Sequence, residues 1–451
     1  MNNKKLLIPF VTTSISSDLA LFFVLLPVWF FLGITQFLGP VLGFVLFFKL
    51  ALLAVKTRQK INYPVSLSLC VLIFLLASLV SATSIQEFYW IPMFIRNFVV
   101  AISAFLLLIV TYNSLKSGSD IKKILWAWSI MAVMASLMGL LVAAGLIPFR
   151  HIMTAPIASI LPEQISQSEY YSSIINISLG DRIQFFGLSV RRVSSIFPYQ
   201  NIFAAALIMI IPFQFFLYRH STGWKKALVW LSIPLFAVNL LLTYSRGALL
   251  AIVLSFLFLV YLRIKPLNQR TKRKIVLPGI ALLILSILAF SIFGNSFIDK
   301  INPKSAEIRN FILVKSIESW KKRPIFGWGT QRNIDAVGGW ENRPFKIIPA
   351  LGSHSQFLSL LYRYGLFGLT VFLLIYAILI RELNRTAKDP PKEKFWRDLS
   401  LFCGWAFAAN LIHGIFIDMD FDVVVLFMLW MNWAFILLPR KLAEKGEKES
   451  I

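Results

Sequence analysis

Residues 309–368 decide how the chain is organised: Arg309 to Trp320, Arg323-Pro-Ile-Phe-Gly-Trp-Gly-Thr330, Gly352-Ser-His354-Ser-Gln356 and Tyr364-Gly-Leu-Phe-Gly368. The first run has the pattern of a polar helix and the second that of a turn, while the last two open a new apolar segment. Further back, Thr243-Tyr-Ser-Arg246-Gly-Ala248 ends another apolar run. Nearly all of the remaining chain is apolar. The pattern predicts membrane helices with His and Arg at their ends, and hence an anionic, membrane-borne substrate.

Composition places the chain among polytopic membrane proteins. Of its 451 residues 58% are hydrophobic and 15% are charged, whereas soluble domains are about 45–50% apolar and about 25% charged. The net charge of +24 lies in short basic clusters between apolar runs. In that position basic residues set topology and meet anionic membrane lipids, so the charge does not indicate a nucleic-acid partner. Both cysteines lie inside apolar runs, and no disulfide framework is expected.

The apolar runs predict an all-α fold with about twelve transmembrane helices, since one span needs roughly 20 apolar residues. The predicted spans are 19–34, 37–55, 64–83, 93–115, 124–148, 199–217, 227–243, 246–263, 275–294, 360–381, 398–416 and 422–439.

The basic loops predict the orientation, because Lys and Arg are enriched on the cytoplasmic side. With both termini inside, every short basic loop and the basic tail fall on that side, and loops 149–198 and 295–353 lie outside the cytoplasmic (inner) membrane. Both long loops are expected to contain short helices. The chain divides into residues 1–148 (five spans), 149–198 (first external loop), 199–294 (four spans), 295–353 (second, catalytic loop) and 354–451 (three spans and a cytoplasmic tail).

Two external arginines are candidates for an anion site. Arg246 opens a helix, where free N–H groups and the positive dipole end also favour an anion. Arg309 lies in a basic helical run, and a guanidinium group pairs bidentately with phosphate. The alternatives are a snorkelling Arg246 that ends a span and a solvated basic face around Arg309.

His354 is the candidate general base. It lies where a polar loop re-enters an apolar segment, between Ser353 and Ser355, and His titrates near neutral pH. The alternative is a structural histidine.

Other kinds of site find no support in the sequence. The external carboxylates lack metal-ligand spacing, and Asp418-Met-Asp420-Phe-Asp422 has the alternation of a solvated turn. A Walker loop, a dinucleotide fingerprint, a Gly-X-Ser-X-Gly elbow and a His-Glu-X-X-His motif are all missing from the sequence. We therefore predict neither a metal nor a cofactor.

The order, spacing and sidedness of these motifs resemble the O-antigen ligase family of bacterial envelope glycosyltransferases, which includes O-antigen and exopolysaccharide polymerases. The resemblance covers residues 240–370 by motif and the whole chain by topology. It implies a GT-C-like fold and an undecaprenyl diphosphate-linked glycan donor. It also implies metal-independent transfer at the periplasmic face. Ligases transfer to lipid A–core oligosaccharide, and polymerases to another lipid-linked repeat unit; the sequence does not separate the two.

The family's two essential arginines and one histidine match Arg246, Arg309 and His354 by motif. The arginines would neutralise the departing diphosphate, and His354 would accept the proton of the attacking hydroxyl, giving inversion. Arg191 and Arg192 are secondary candidates for the donor phosphates or the acceptor, and Ser355 is a further substrate-binding candidate.

A transporter or flippase is the alternative outside the family, because twelve spans with both termini inside is also a carrier topology. The spans contain few ionisable residues, of which Arg96, Arg363 and His413 stand out, and Arg96 is expected to snorkel. The polar residues are concentrated in the external loops instead. This distribution favours an enzyme.

Overall fold

The computed structural model describes residues 14–85, 90–161, 175–185, 188–264, 303–330, 355–418 and 422–449, and α-helices dominate these segments. The helices are α1 Ile15–Val24, α2 Leu26–Leu32, α3 Thr35–Thr57, α4 Val65–Ala82, α5 Ile91–Ser114, α6 Gly118–Ala143, α7 Gln200–His220, α8 Gly223–Leu242, α9 Arg246–Ile264, α10 Pro303–Lys322, α11 Gln356–Lys388, α12 Lys394–His413 and α13 Val423–Glu449. The strands are β1 Met153–Thr154, β2 Asn176–Ile177, β3 Gly180–Phe185 and β4 Leu188–Val193.

Eight of the described helices are long and apolar enough to span a membrane, namely α3, α4, α5, α6, α7, α8, α11 and α13. Each coincides with one of the predicted spans. A ninth span is possible if α1 and α2, which meet at 56°, count as one broken helix. These helices confirm an all-α polytopic membrane protein, while the total of twelve stays a prediction.

Three further predicted spans are not among these eight helices, each for a separate reason. Helix α9 qualifies only as a shorter apolar helix over Arg246–Leu257. Helix α12 begins four residues before the predicted span 398–416, and its first turns carry Lys394, Arg397 and Asp398. The predicted span 275–294 lies outside the described residues.

Helices α7 and α13 form the centre of the bundle. Trp128 of α6 packs between Phe213 of α7 and Phe435 of α13, with ring centroids 5.6 and 5.7 Å away. At the periphery, Phe48 of α3 and Leu231 of α8 remain 62% and 65% exposed. Apolar side chains this exposed suit a lipid environment, so the outer helices present the lipid-facing surface.

The loops divide between the two ends of the bundle as the charge pattern predicts. At one end, contacts join segments predicted to be cytoplasmic: Asn62 with Asn113, Ser17 with Lys123, Arg219 with Asp398 and Tyr112 with Lys441. At the other end, contacts join segments predicted to be external: Arg191 with Val142, Arg192 with Thr243 and Gln36 with Asp422. The two groups of loops therefore lie at opposite ends, and the basic side is expected to be cytoplasmic.

The first external loop contains strands, where only short helices were expected. Strands β3 and β4 form an antiparallel hairpin with Asp181 opposite Arg192, and β1 pairs with β2. Residues 188–193, Leu-Ser-Val-Arg-Arg-Val, contain the β-branched residues typical of a strand. The short 3₁₀ turn at Pro156–Ser159 is the helical element described in this loop.

Candidate active site at the external end

The turn before Arg246 fixes the start of α9. Thr243 Oγ1 donates to the carbonyl of Leu240 at 2.7 Å and accepts from the backbone N–H of Ser245 at 3.2 Å. Tyr244 takes a left-handed backbone conformation with φ 51°. Arg246 is then the first residue of α9, and its side chain is exposed. A guanidinium group thus stands at the positive end of a helix, which favours an anion.

Arg192 lies against this turn. Its Nε donates to the carbonyl oxygen of Thr243 at 3.1 Å, and an Nη donates to Asn201 Oδ1 at 3.3 Å. The side chain is half-buried. The structure therefore brings Arg192 to the Arg246 turn and gives it a positioning contact there.

Arg191 points to a different partner. Its Nη1 donates to the carbonyl of Val142 at 3.3 Å, at the C-terminal end of α6. The guanidinium group also lies 5.6 Å from the ring centroid of Phe149. A cation at a helix C-terminus is stabilised by the dipole and by the free carbonyl groups. Arg191 thus has a structural role, and its binding of a donor or acceptor stays a prediction.

The turn at residues 414–417 contacts the starts of both α9 and α11. The N–H of Gln356 donates to the carbonyl oxygens of Gly414 and Ile417 at 2.8 and 3.0 Å. A Cβ added at Gly247 would lie 2.7 Å from the Cβ of Phe416, so α9 touches the same turn one residue after Arg246. Ser355, half-buried, is the N-cap residue of α11. His354 lies just before it and outside the described residues, so its distance from Arg246 stays untested.

The turn after α10 is hydrogen-bonded to a break in α11. At Gly365 the backbone leaves helical geometry, with φ 66° and ψ −170°. Backbone N–H groups of Trp328 and Gly329 donate to the carbonyls of Tyr362 and Arg363 at 3.0 and 2.8 Å, while those of Leu366 and Phe367 donate to Pro324 and Ile325 at 2.8 and 3.1 Å. Broken helices are tolerated within membrane proteins when neighbouring groups satisfy the freed backbone. The Arg323–Thr330 and Tyr364–Gly368 motifs therefore form one unit.

This unit also holds α10. Trp328 Nε1 donates to the carbonyl of Ser319 at 2.9 Å, and the Arg323 guanidinium lies 4.2 Å from the Trp328 ring centroid. The predicted helix around Arg309 is confirmed by α10, Pro303–Lys322. The side chain of Arg309 lies outside the described residues, so its contact with a substrate stays a prediction.

We expect Gly365→Ala to lower thermal stability well beyond the effect of a positive φ alone. The region at φ 66° and ψ −170° is nearly restricted to glycine and costs another residue about 1–3 kcal/mol, and a Cβ at Gly365 would also lie 2.2 Å from the carbonyl oxygen of Ile325. Gly223 is the matched control, because it has φ 55° with no heavy atom within 4 Å of an added Cβ. Equal melting temperatures for Gly365→Ala and Gly223→Ala would contradict the close contact.

The prediction of a solvated turn at Asp418–Asp422 is wrong for the two residues described there. Asp418 is buried, accepts a hydrogen bond from Ser359 and lies 3.6 Å from an Nη of Arg363. Asp422 is also buried, and it accepts from the N–H of Val425 at 2.9 Å and from Gln36 Nε2 at 3.1 Å. Asp420 lies outside the described residues. The partners come from distant helices, so the local alternation did not indicate burial.

Arg96 reaches the same end of the bundle, as its predicted snorkelling requires. Its guanidinium donates to Gln36 Oε1 at 3.1 Å and to Asn97 Oδ1 at 2.9 Å. Gln36 in turn donates to Asp422. Burial raises the pKa of the Asp422 carboxyl, which precedes α13, and hydrogen bonds from Val425 and Gln36 act in the opposite direction.

Comparison with known proteins finds one family model that matches part of the chain. The model described as O-Antigen ligase matches residues 227–373, a segment that includes Arg246, Arg309 and His354, and it confirms the resemblance given above. No curated protein matches the chain. The match supports a function of the O-antigen ligase or polymerase type, in a multi-pass membrane protein that acts on glycan–lipid substrates.

Proposed function

We propose that this chain, whose residues 227–373 match O-antigen ligases, is a metal-independent inverting glycosyltransferase of the inner membrane. It would move a glycan from undecaprenyl diphosphate to lipid A–core oligosaccharide at the periplasmic face. The observation that carries the proposal is the exposed Arg246 at the N-terminus of α9. The α11 end that follows His354 lies on the same 414–417 turn as α9.

The charge at this end suits a lipid diphosphate. Transfer releases a diphosphate, so negative charge grows on the leaving oxygen as the glycosidic bond breaks. Arg246 would stabilise that negative charge from a helix N-terminus, where the backbone dipole adds to the positive charge of the guanidinium group. In the proposal Arg309 supplies the second guanidinium group. Two such groups would perform the charge neutralisation that a metal ion performs at the leaving group in metal-dependent sites.

The transfer step needs a base on the acceptor side. An acceptor hydroxyl oxygen forms a bond to the anomeric carbon, and the bond from that carbon to the diphosphate oxygen breaks with its electron pair. His354 would take the hydroxyl proton in the same step, as a general base. Because attack and departure occur on opposite faces of the carbon, the configuration inverts.

A reconstituted assay tests this function. The purified protein in vesicles would receive undecaprenyl diphosphate-linked glycan with either lipid A–core or a second lipid-linked repeat, with and without EDTA. We expect product with lipid A–core and an unchanged rate in EDTA. Longer lipid-linked chains in place of the lipid A–core product would identify the polymerase alternative. Movement of the intact donor across the bilayer without any product would identify a transporter instead.

We expect Arg192→Ala to lower transfer about tenfold. The loss removes the hydrogen bonds to Thr243 and Asn201 that place the Arg246 turn, and one such bond to a charged group is worth about 1.5–3 kcal/mol. Arg182→Ala is the control, because Arg182 lies on the same hairpin, is exposed and contacts Phe149 instead. Equal rates in the two variants would show that Arg192 does not position the turn.

A further inference from the structure

A cavity of ≈ 380 Å³ lies at the external end, beneath the first external loop. This volume falls within the range of about 300–1,000 Å³ found for small-molecule sites. Its walls come from the α2–α3 connection, the first external loop, the segment before α7 and the start of α13. Asp181 lines the cavity and lies opposite Arg192 in the hairpin. Gln200 also lines it and precedes Asn201, the partner of Arg192. The cavity therefore adjoins the Arg246 turn through Arg192.

The floor of the cavity is fixed by a chain of hydrogen bonds. Arg96 donates to Gln36 Oε1 at 3.1 Å, and Gln36 Nε2 donates to Asp422 Oδ2 at 3.1 Å. The other carboxylate oxygen of Asp422 accepts from the N–H of Val425 at 2.9 Å. Gln36 and Asp422 are 5% and 1% exposed. Polar groups held in this way are already oriented, so a ligand that bonds to them loses little ordering free energy.

The charges of the lining disfavour a diphosphate. The described lining contains two basic side chains, Arg150 and His151, and two carboxyl groups, Asp181 and Asp422, and the Arg150 guanidinium is already in an ion pair with Asp181. The Asp422 carboxyl lies buried at the floor. A phosphate brought here would lie beside two carboxyl groups, and it would compete with Asp181 for the Arg150 guanidinium. The lining suits a neutral ligand rich in hydroxyl groups.

The remaining lining has the two surfaces that a sugar ring requires. Phe30 and Tyr199 offer aromatic faces for the apolar C–H groups of a pyranose. Gln200, Asn176 and Ser178 offer donors and acceptors for its hydroxyl groups. We propose that this cavity is a saccharide subsite that binds one neutral pyranose unit of the glycan undergoing transfer. Its place in transfer rests on the proposed function, whereas sugar binding itself does not.

Saturation-transfer difference NMR on the full chain tests sugar binding without activity. The probes are the methyl glycosides of glucose, galactose, mannose and N-acetylglucosamine, with the protein in amphipol so that no sugar detergent is present. We expect saturation transfer to at least one glycoside, and at least a fivefold loss in Tyr199→Ala and in Gln200→Ala. Tyr63→Ala is the control, because Tyr63 is exposed at the opposite end, and it should retain the full signal.

Three results would overturn the subsite: no saturation transfer from any of the four glycosides, equal signals in wild type and both cavity variants, or displacement of the sugar by inorganic diphosphate. Arg246→Ala should keep the saturation-transfer signal of the sugar while losing transfer activity. The NMR result can therefore be interpreted even if the proposed function fails.

In the transfer assay, a higher KM for the acceptor alone in Gln200→Ala assigns the pyranose to the acceptor. A higher KM for the donor alone assigns it to the donor. Unchanged KM values for donor and acceptor would show that the cavity takes no part in transfer.

Discussion

Arg246→Ala is expected to lower the kcat of glycan transfer by roughly 10²–10³-fold, the loss seen when one preorganised group that stabilises transition-state charge is removed. The side chain is exposed at the start of α9, and the turn before it is held by Thr243 and Arg192. The variant should therefore fold normally. Rates measured with saturating donor report the charge that develops in the transition state. Arg246→Lys should recover only part of the activity, because an ammonium group lacks the bidentate geometry of guanidinium.

A second arginine in the loop predicted to be external provides the control for charge alone. Arg182 lies on the same hairpin as Arg192, is exposed, and stacks 5.2 Å from the Phe149 ring centroid. Arg182→Ala removes one positive charge from the external face and should leave kcat within about twofold, since exposed charges contribute little. Near-normal transfer in Arg246→Ala, or an equal loss in Arg182→Ala, would remove the diphosphate-binding role of Arg246.

His354→Ala is expected to lower kcat by roughly 10²–10⁴-fold, the usual contribution of a general base. The residue precedes Ser355, and the adjoining Gln356 N–H is bonded to the carbonyls of Gly414 and Ile417. The start of α11 should therefore keep its position when the imidazole is removed. In the wild type, the acidic limb of the pH–rate profile should report the loss of activity as the base becomes protonated.

The same variant separates chemistry from binding. If His354 is the base, His354→Ala should bind the lipid diphosphate donor with nearly unchanged Kd and lose the acidic limb of its pH–rate profile. A weaker Kd with an unchanged kcat would make His354 a donor-binding residue instead. His354→Gln keeps hydrogen bonding without a titrating group, so we expect it to be as inactive as His354→Ala.

The transmembrane architecture could be predicted because its physical rule is local. A span needs about 20 apolar residues in sequence, and eight predicted spans coincide with described helices of that kind. Segregation of the loops followed from Lys and Arg counts alone. Helix α10 was also predictable, because its polar pattern is continuous from Pro303 to Lys322.

The parts that sequence reasoning missed depend on partners far away in the chain. Asp418 looks solvated in its own segment, but Ser359 and Arg363 of α11 lie against it. Arg191 and Arg192 are adjacent and look equivalent, yet one contacts α6 and the other the turn before α9. Alternation in a strand sends neighbouring side chains to opposite faces, so recognition of the hairpin would have separated their roles.

The short turn at residues 414–417 accepts the Gln356 N–H and packs against Gly247, so it works as a spacer between two helix ends. Inserting one residue there would change the separation of the groups at 246 and 354 without altering either side chain. Under the proposed function, the length of this turn therefore sets the distance between the arginine that binds the leaving group and the base. A search for variants with altered donor geometry should begin at this spacer.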